Sequence, residues 1–174
     1  KPRSLLTHPD RSPGHSHQSD REPKQAKHLL SPRAWTEPDR MGEQRPFTMT
    51  SRDGKALHGF LTLPVGSSGK NLPLIVNPHG GPFDVADEWG FDKETQLLAS
   101  RGYAVLQVNF RGSAGFGREF VASGYKQWGG TMQDDVTDAT KWAVPQGIAD
   151  PNRIGVHGAS YGGYAAMMGW SKAA

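Results

Sequence analysis

Near its end the chain runs from a short apolar segment, Arg153-Ile154-Gly155-Val156-His157, through Gly158-Ala159-Ser160-Tyr161-Gly162 into a stretch carrying Ala165, Ala166, Met167 and Met168. The first segment reads as a strand and the last as a helix, so one must become the other across a single tight turn. Gly158 and Gly162 stand two residues either side of Ser160, where larger side chains would keep strand and helix apart. Only folds in which a strand end and a helix start meet at a sharp corner accommodate such a sequence.

The preceding segments narrow the choice. Leu72-Pro73-Leu74-Ile75-Val76-Asn77 and residues 103–110, Tyr103-Ala104-Val105-Leu106-Gln107-Val108-Asn109-Phe110, are short continuous apolar runs of the kind buried on both faces of a sheet. Between them, residues 91–100 have helical spacing through Leu97 and Leu98 and stop at Gly102. Thr131-Met132-Gln133-Asp134 resembles a capping box, followed by an apolar face of Val136, Ala139, Ala143 and Val144 that ends before Gly147. Earlier, Phe47 to Ser51 and Ala56 to Pro64 read as two strands joined at Asp53-Gly54. Strand and helix alternate, which predicts an α/β fold with a mostly parallel sheet and flanking helices.

Residues 1–44 differ. They are rich in Pro, Ser, Arg and His with almost no apolar periodicity, which predicts a poorly ordered segment or the remnant of an upstream linker, with the ordered domain spanning 45–174. His15 and His17 could grip a metal only with a third ligand at suitable spacing, and none is evident; nothing in the sequence calls for a metal or cofactor. The net charge of +3 is scattered among acids, which argues against nucleic acid as a partner. No apolar run approaches the roughly 18 residues of a membrane span. With no cysteine there is neither a disulfide framework nor a thiolate nucleophile, and the compartment stays open.

Gly158-Ala159-Ser160-Tyr161-Gly162 fits the G-x-S-x-G pattern, and its position between strand and helix is the context in which that pattern presents a serine nucleophile. On this reading Ser160 attacks, and the N–H of Tyr161 at the helix start is one donor to the developing oxyanion. A second donor is expected from His79-Gly80-Gly81-Pro82, just after the first buried strand, where Gly80 and Gly81 allow close approach of backbone or imidazole. The alternative for His79 is packing beneath that loop. His157 reads as an edge or packed histidine rather than a base, and Asp134, Asp135 and Asp138 suit a helix start.

Four motifs now occur in order: Arg45-Pro46-Phe47-Thr48-Met49-Thr50-Ser51-Arg52-Asp53-Gly54, His79-Gly80-Gly81-Pro82, Asn109-Phe110-Arg111-Gly112-Ser113-Ala114-Gly115-Phe116-Gly117, and Gly158-Ala159-Ser160-Tyr161-Gly162-Gly163-Tyr164. Together, over residues 29–174, they resemble the catalytic domain of the prolyl oligopeptidase family, its acylaminoacyl-peptidase and dipeptidyl-peptidase branches most of all. Tyr125, Trp128-Gly129-Gly130 and Asp134-Asp135-Val136 also look like the family's stretch before the nucleophile strand, although packing and capping explain them as well. The resemblance implies an α/β-hydrolase domain preceded by a β-propeller, acting on short peptides through an acyl-enzyme at Ser160. Some members carry a tyrosine donor before the Gly-Pro pair; none stands here. The family's triad runs Ser, Asp, His, yet no Asp or His follows Ser160. The expectation is a hydrolase domain truncated after the elbow, inactive without its downstream segment. A carboxylesterase or lipase would usually have a third glycine where Pro82 stands, and a non-catalytic remnant is the other alternative.

Overall fold

The computed structural model describes residues 37–173, so the readings of His15, His17 and the rest of residues 1–36 lie outside the described residues. A 3-10 turn, Pro38–Arg40, leads into β1 (Glu43–Thr50) and β2 (Ala56–Leu63). There follow β3 (Leu72–Val76), α1 (Lys93–Ser100), β4 (Ala104–Asn109), α2 (Arg118–Ala122), α3 (Thr131–Ala143), β5 (Ala149–Val156) and α4 (Tyr161–Ala173). The strands form a 5-stranded sheet in the order β1-β2-β4-β3-β5. β2 is antiparallel to β1 and β4, whereas β3 runs parallel to both β4 and β5.

This order follows from the pattern of the strands. All six residues of β4 are buried, as a strand lying between two others and covered on both faces requires. From β3 the chain crosses through α1 to β4 on one side, then returns through α3 to β5 on the other. Right-handed crossovers in opposite directions place α1 and α3 on opposite faces and open a crevice at the C-terminal ends of β3 and β5. Ala104, Leu106 and Val108 join the core with Met132, Val136, Ala139 and Ala143 of α3. The alternating Val105, Gln107 and Asn109 turn to the other face.

A buried ion-pair network fastens the hairpin to this core. Arg111, just beyond β4, donates to Asp135 of α3 at 2.7 and 2.8 Å and to Asp53 of the β1–β2 turn at 2.7 and 2.9 Å. The side chain of Asp135 is fully buried and that of Arg111 only 6% exposed. Hydrogen bonds from Arg111 and Ser51 hold the Asp53 carboxyl well below the usual carboxylate range. Arg52 adds a second clasp on the same helix, donating to Asp138 at 2.6 Å. The aspartates of α3 thus serve to anchor a distant turn, a role that helix-start chemistry does not describe.

Other local expectations are corrected. Thr131 is the first residue of α3, not its cap; the N-cap is Gly130, which makes no side-chain bond, and the Thr131 hydroxyl donates to Gln127 at 3.1 Å. Leu97 is 55% exposed, and α1 buries Thr95 and Ala99 instead. β5 begins at Ala149 rather than Arg153, and α2 was not apparent in the sequence.

Asp135→Ala would leave the Arg111 guanidinium buried with half its acceptors gone and is expected to cost about 3–5 kcal/mol in urea denaturation. Asp53→Ala removes a more exposed carboxylate and should cost about 1 kcal/mol. Equal losses would contradict the buried pair as the anchor.

Candidate active site

β3 and β5 stay paired to their ends, His157 N–H donating to Val76 O at 2.9 Å, so the segments that follow them emerge side by side. Here the glycine spacing has its physical cause. A Cβ at Gly162 would fall 2.2 Å from Pro78 O, and a Cβ at Gly158 would fall 2.6 Å from Gly162 C. No side chain fits at either position, so α4 starts in direct contact with the loop after β3. The corner between them is turned by Ser160, whose φ of 54° is left-handed and unfavourable for a residue with a Cβ.

The same approach sets Gly80 over the serine. A Cβ on Gly80 would lie 3.5 Å from Ser160 Cβ and 4.0 Å from Ser160 Oγ. Among the described residues, Ser160 Oγ has no hydrogen-bond partner, and the N–H groups of Gly80, Gly81 and Tyr161 have no acceptor. Free amides and a hydroxyl therefore meet at one helix start.

His79 is turned away from the hydroxyl. Its ring stacks on Phe110 with centroids 4.4 Å apart. Its Nδ1 is 2.7 Å from Gly80 O and its Nε2 is 2.7 Å from Ser113 Oγ. A carbonyl only accepts, so Nδ1 carries a proton, while the Ser113 hydroxyl lies 2.7 Å from both His79 Nε2 and Phe110 O. Burial pushes the imidazole pKa down, in keeping with a neutral ring. Phe110 O also accepts from the Ser113 N–H at 3.0 Å. Tyr161, 2% exposed, packs on Phe110 and Trp128, and burial pushes its phenol pKa up. Trp128 also meets Tyr164, so the aromatic part of this stretch has a packing role.

A cavity of about 240 Å³ opens beside the turn, with Asn77, His79, Asp87, Glu94, Gln107 and Ser160 in its wall. Gln107 Nε2 donates to Asp87 Oδ1 at 2.9 Å. Burial, aided by the negative charge of Asp92 and opposed by the Gln107 bond, pushes the Asp87 carboxyl up to about 7. His157 bonds Glu94 at 2.7 Å and makes no bond to Ser160. Asp87 escaped the sequence reading because it lies in a stretch without periodicity. Gln107 carried a signal, a polar residue inside an otherwise apolar strand. Among the described residues there is no group of three or more side chains able to hold a metal ion, and no helix is long and apolar enough to cross a membrane.

A left-handed serine between a parallel strand and a helix, with glycines on both sides and a glycine loop from the neighbouring strand above it, defines an α/β-hydrolase corner. Residues 89–173 match the model of the prolyl oligopeptidase family, and the chain belongs to that family. It is 43% identical over 148 residues to dipeptidyl aminopeptidase BIII of Pseudoxanthomonas mexicana, a match covering 81% of this chain and 21% of that one. With dipeptidyl peptidase family member 6 of Caenorhabditis elegans it shares 34% identity over 166 residues, 83% of this chain and 22% of the relative. It superposes on the acylaminoacyl peptidase of Pyrococcus horikoshii with a TM-score of 0.72 at 30% identity, over 82% of this chain and 23% of that chain. The puromycin-hydrolysing peptidase of Mycobacterium tuberculosis gives a TM-score of 0.71 at 28% identity, over 78% and 21% of the two chains. The chain thus spans about a fifth of the length of the relatives it matches, 21% and 22% for the two peptidases compared by sequence.

Two substitutions test the corner. Ser160→Gly removes the left-handed penalty and should raise stability by about 0.5–1 kcal/mol, as measured by urea denaturation. Gly162→Ala drives a methyl into Pro78 O and should cost about 3 kcal/mol or more. A Ser160→Gly variant less stable than the parent would contradict the strained turn.

Proposed function

We propose that this chain carries the nucleophile half of a serine peptidase site that cleaves peptide bonds of short peptides through an acyl-enzyme at Ser160. The observation that carries the reading is the apposition of Gly80 to Ser160 with unpaired N–H groups at Gly80, Gly81 and Tyr161. A carbonyl carbon attacked by Ser160 Oγ would direct its developing negative oxygen toward Tyr161 N–H and a loop amide, donors that the fold already holds in place. The loop's contribution is backbone, because both nitrogens of His79 are engaged with Gly80 and Ser113. His79 fixes the loop from beneath. The similarity to a dipeptidyl aminopeptidase and to an acylaminoacyl peptidase supports peptide rather than ester substrates.

A serine hydroxyl is a feeble nucleophile until a base takes its proton. His157 is held by Glu94 and His79 by Ser113, and neither bonds Ser160. In this proposal the base and its orienting acid come from a segment packed after α4, in the family's order of Asp then His, and the 174-residue chain alone is inactive.

The test compares the 174-residue chain with the same chain continued by the segment that follows the equivalent helix in the P. mexicana relative. The continued protein should hydrolyse aminoacyl nitroanilides and react with a fluorophosphonate, both abolished by Ser160→Ala. The shorter chain should label at least about 10³-fold more slowly, as expected when the base is missing. Ser160-dependent labelling of the shorter chain at a comparable rate would show that it contains its own base. Cleavage of short acyl esters without any cleavage of nitroanilides would favour an esterase.

A further inference from the structure

The wall of the cavity beside Ser160 contains two buried acceptors without donors among the described residues, Asp87 Oδ2 and Gln107 Oε1. They belong to side chains already joined on their other arms, Gln107 Nε2–H donating to Asp87 Oδ1 at 2.9 Å. With Asp87 ionised, both atoms carry the full penalty of a buried acceptor that has lost water. One proton removes both penalties. Placed on Asp87 Oδ2, it turns the carboxylate into an acid whose O–H can donate to the Gln107 carbonyl, closing a ring with one N–H···O and one O–H···O bond.

We infer that Asp87 is a positioning residue that works as a neutral acid, bridged to Gln107 by its own proton, and that this ring anchors the segment backing the loop over Ser160. The inference rests on reading that cleft as the active site, but the ring itself does not. Asp87 is also held through its main chain, its N–H donating to Asn109 Oδ1 at 2.8 Å and its C=O accepting from Asn109 Nδ2 at 3.0 Å. Two neighbouring positions on β4, Gln107 and Asn109, thus grip one residue of an irregular segment. Residues 83–87 run from that grip to the back of the glycine loop. A Cβ on Gly81 would lie 3.2 Å from both Val85 Cγ2 and Phe83 N, and Val85 O accepts from Ala114 N at 2.9 Å. A loosened Asp87 would free the support behind Gly81.

The charges around the carboxyl favour the proton. Asp92 and Glu94 share the cavity wall, Asp92 capping α1 through Thr95 N–H and Glu94 bonded to His157. His79 is the remaining titratable side chain in the wall, buried and neutral, and no lysine or arginine lines it. Asp84 and Glu88, on the same segment, are exposed. Burial raises the Asp87 pKa to about 7, so the anchor is closed below neutrality and opens above it. The sign follows from linkage. A carboxyl that binds its proton more tightly in the folded state stabilises most when protonated, so this contribution is complete below the ordinary aspartate range, falls as pH rises toward about 7 and is gone above it.

The decisive comparison is Asp87→Asn, since asparagine presents the same two arms to Gln107 at every pH. In the 174-residue chain, the Asp87 carboxyl resonance, assigned by its loss in D87N, should titrate with a midpoint near 7 by ¹³C NMR. Amide exchange of residue 87 should match between parent and D87N at about pH 5, and should be about tenfold faster in the parent at about pH 8.5. Asp87→Ala should be unprotected at both, and if it fails to fold the midpoint and the D87N comparison suffice. Gln107→Glu, which sets two acids against each other, should give two titration steps, the second with a midpoint above the parent's. A parent midpoint near the ordinary aspartate value of about 4 would overturn the inference. So would a D87N variant as unprotected as D87A. None of these readouts depends on peptidase activity, so failure of the ring and failure of the proposed function are separable.

Discussion

Everything at the site depends on one steric contact, the approach of α4 to the Pro78 carbonyl at Gly162. With no room for a Cβ there, the helix begins against the loop after β3, and Gly158 must be bare so that the strand can pass the same point. The residue left to turn the corner takes a left-handed φ, and that residue is Ser160. Its hydroxyl is thereby pushed clear of its own strand and helix, and Gly80 comes to lie above it. The strain at Ser160, of the order of 1 kcal/mol, is borne by the packing of two elements that have no other way to meet.

Beneath this corner an ion-pair network holds the aromatic support in place. Arg111 gathers Asp53 and Asp135 and so fixes the strand end that carries Phe110. On Phe110 rest His79 from the glycine loop and Tyr161 from the start of α4. One ring thus touches both sides of the proposed oxyanion site. The ion network lies far from any substrate in sequence terms yet acts on the geometry of the loop, through a residue with no polar side-chain atom at all.

The corner was legible because sterics write themselves into sequence. Two glycines at fixed distance from a serine, between an apolar strand and a helix, admit few conformations, and the order of the buried strands made the parallel half of the sheet evident. What escaped depends on contacts between distant residues. Whether His79 faces Ser160 or Ser113 is decided by Phe110 and Gly80, not by the four-residue motif in which it sits. The α3 aspartates read as helix-start residues because their partners, Arg111, Arg52 and the turn at Asp53, are brought together only by the fold. Thr131 looked like a cap, but Gly130 occupies that position and the hydroxyl turns to Gln127. Asp87 meets Gln107 across an irregular segment, where no period announces a pairing.

The central claim is that Ser160, Tyr161 and the glycine loop surround one oxyanion position. The most direct measurement is a crystal structure of the phosphonate adduct formed on Ser160 in the chain continued by the segment taken from the P. mexicana relative. The account predicts the phosphoryl oxygen within about 3 Å of Tyr161 N and of a second amide from Gly80 or Gly81. A phosphoryl oxygen directed to solvent, with those amides still unpaired, would contradict it.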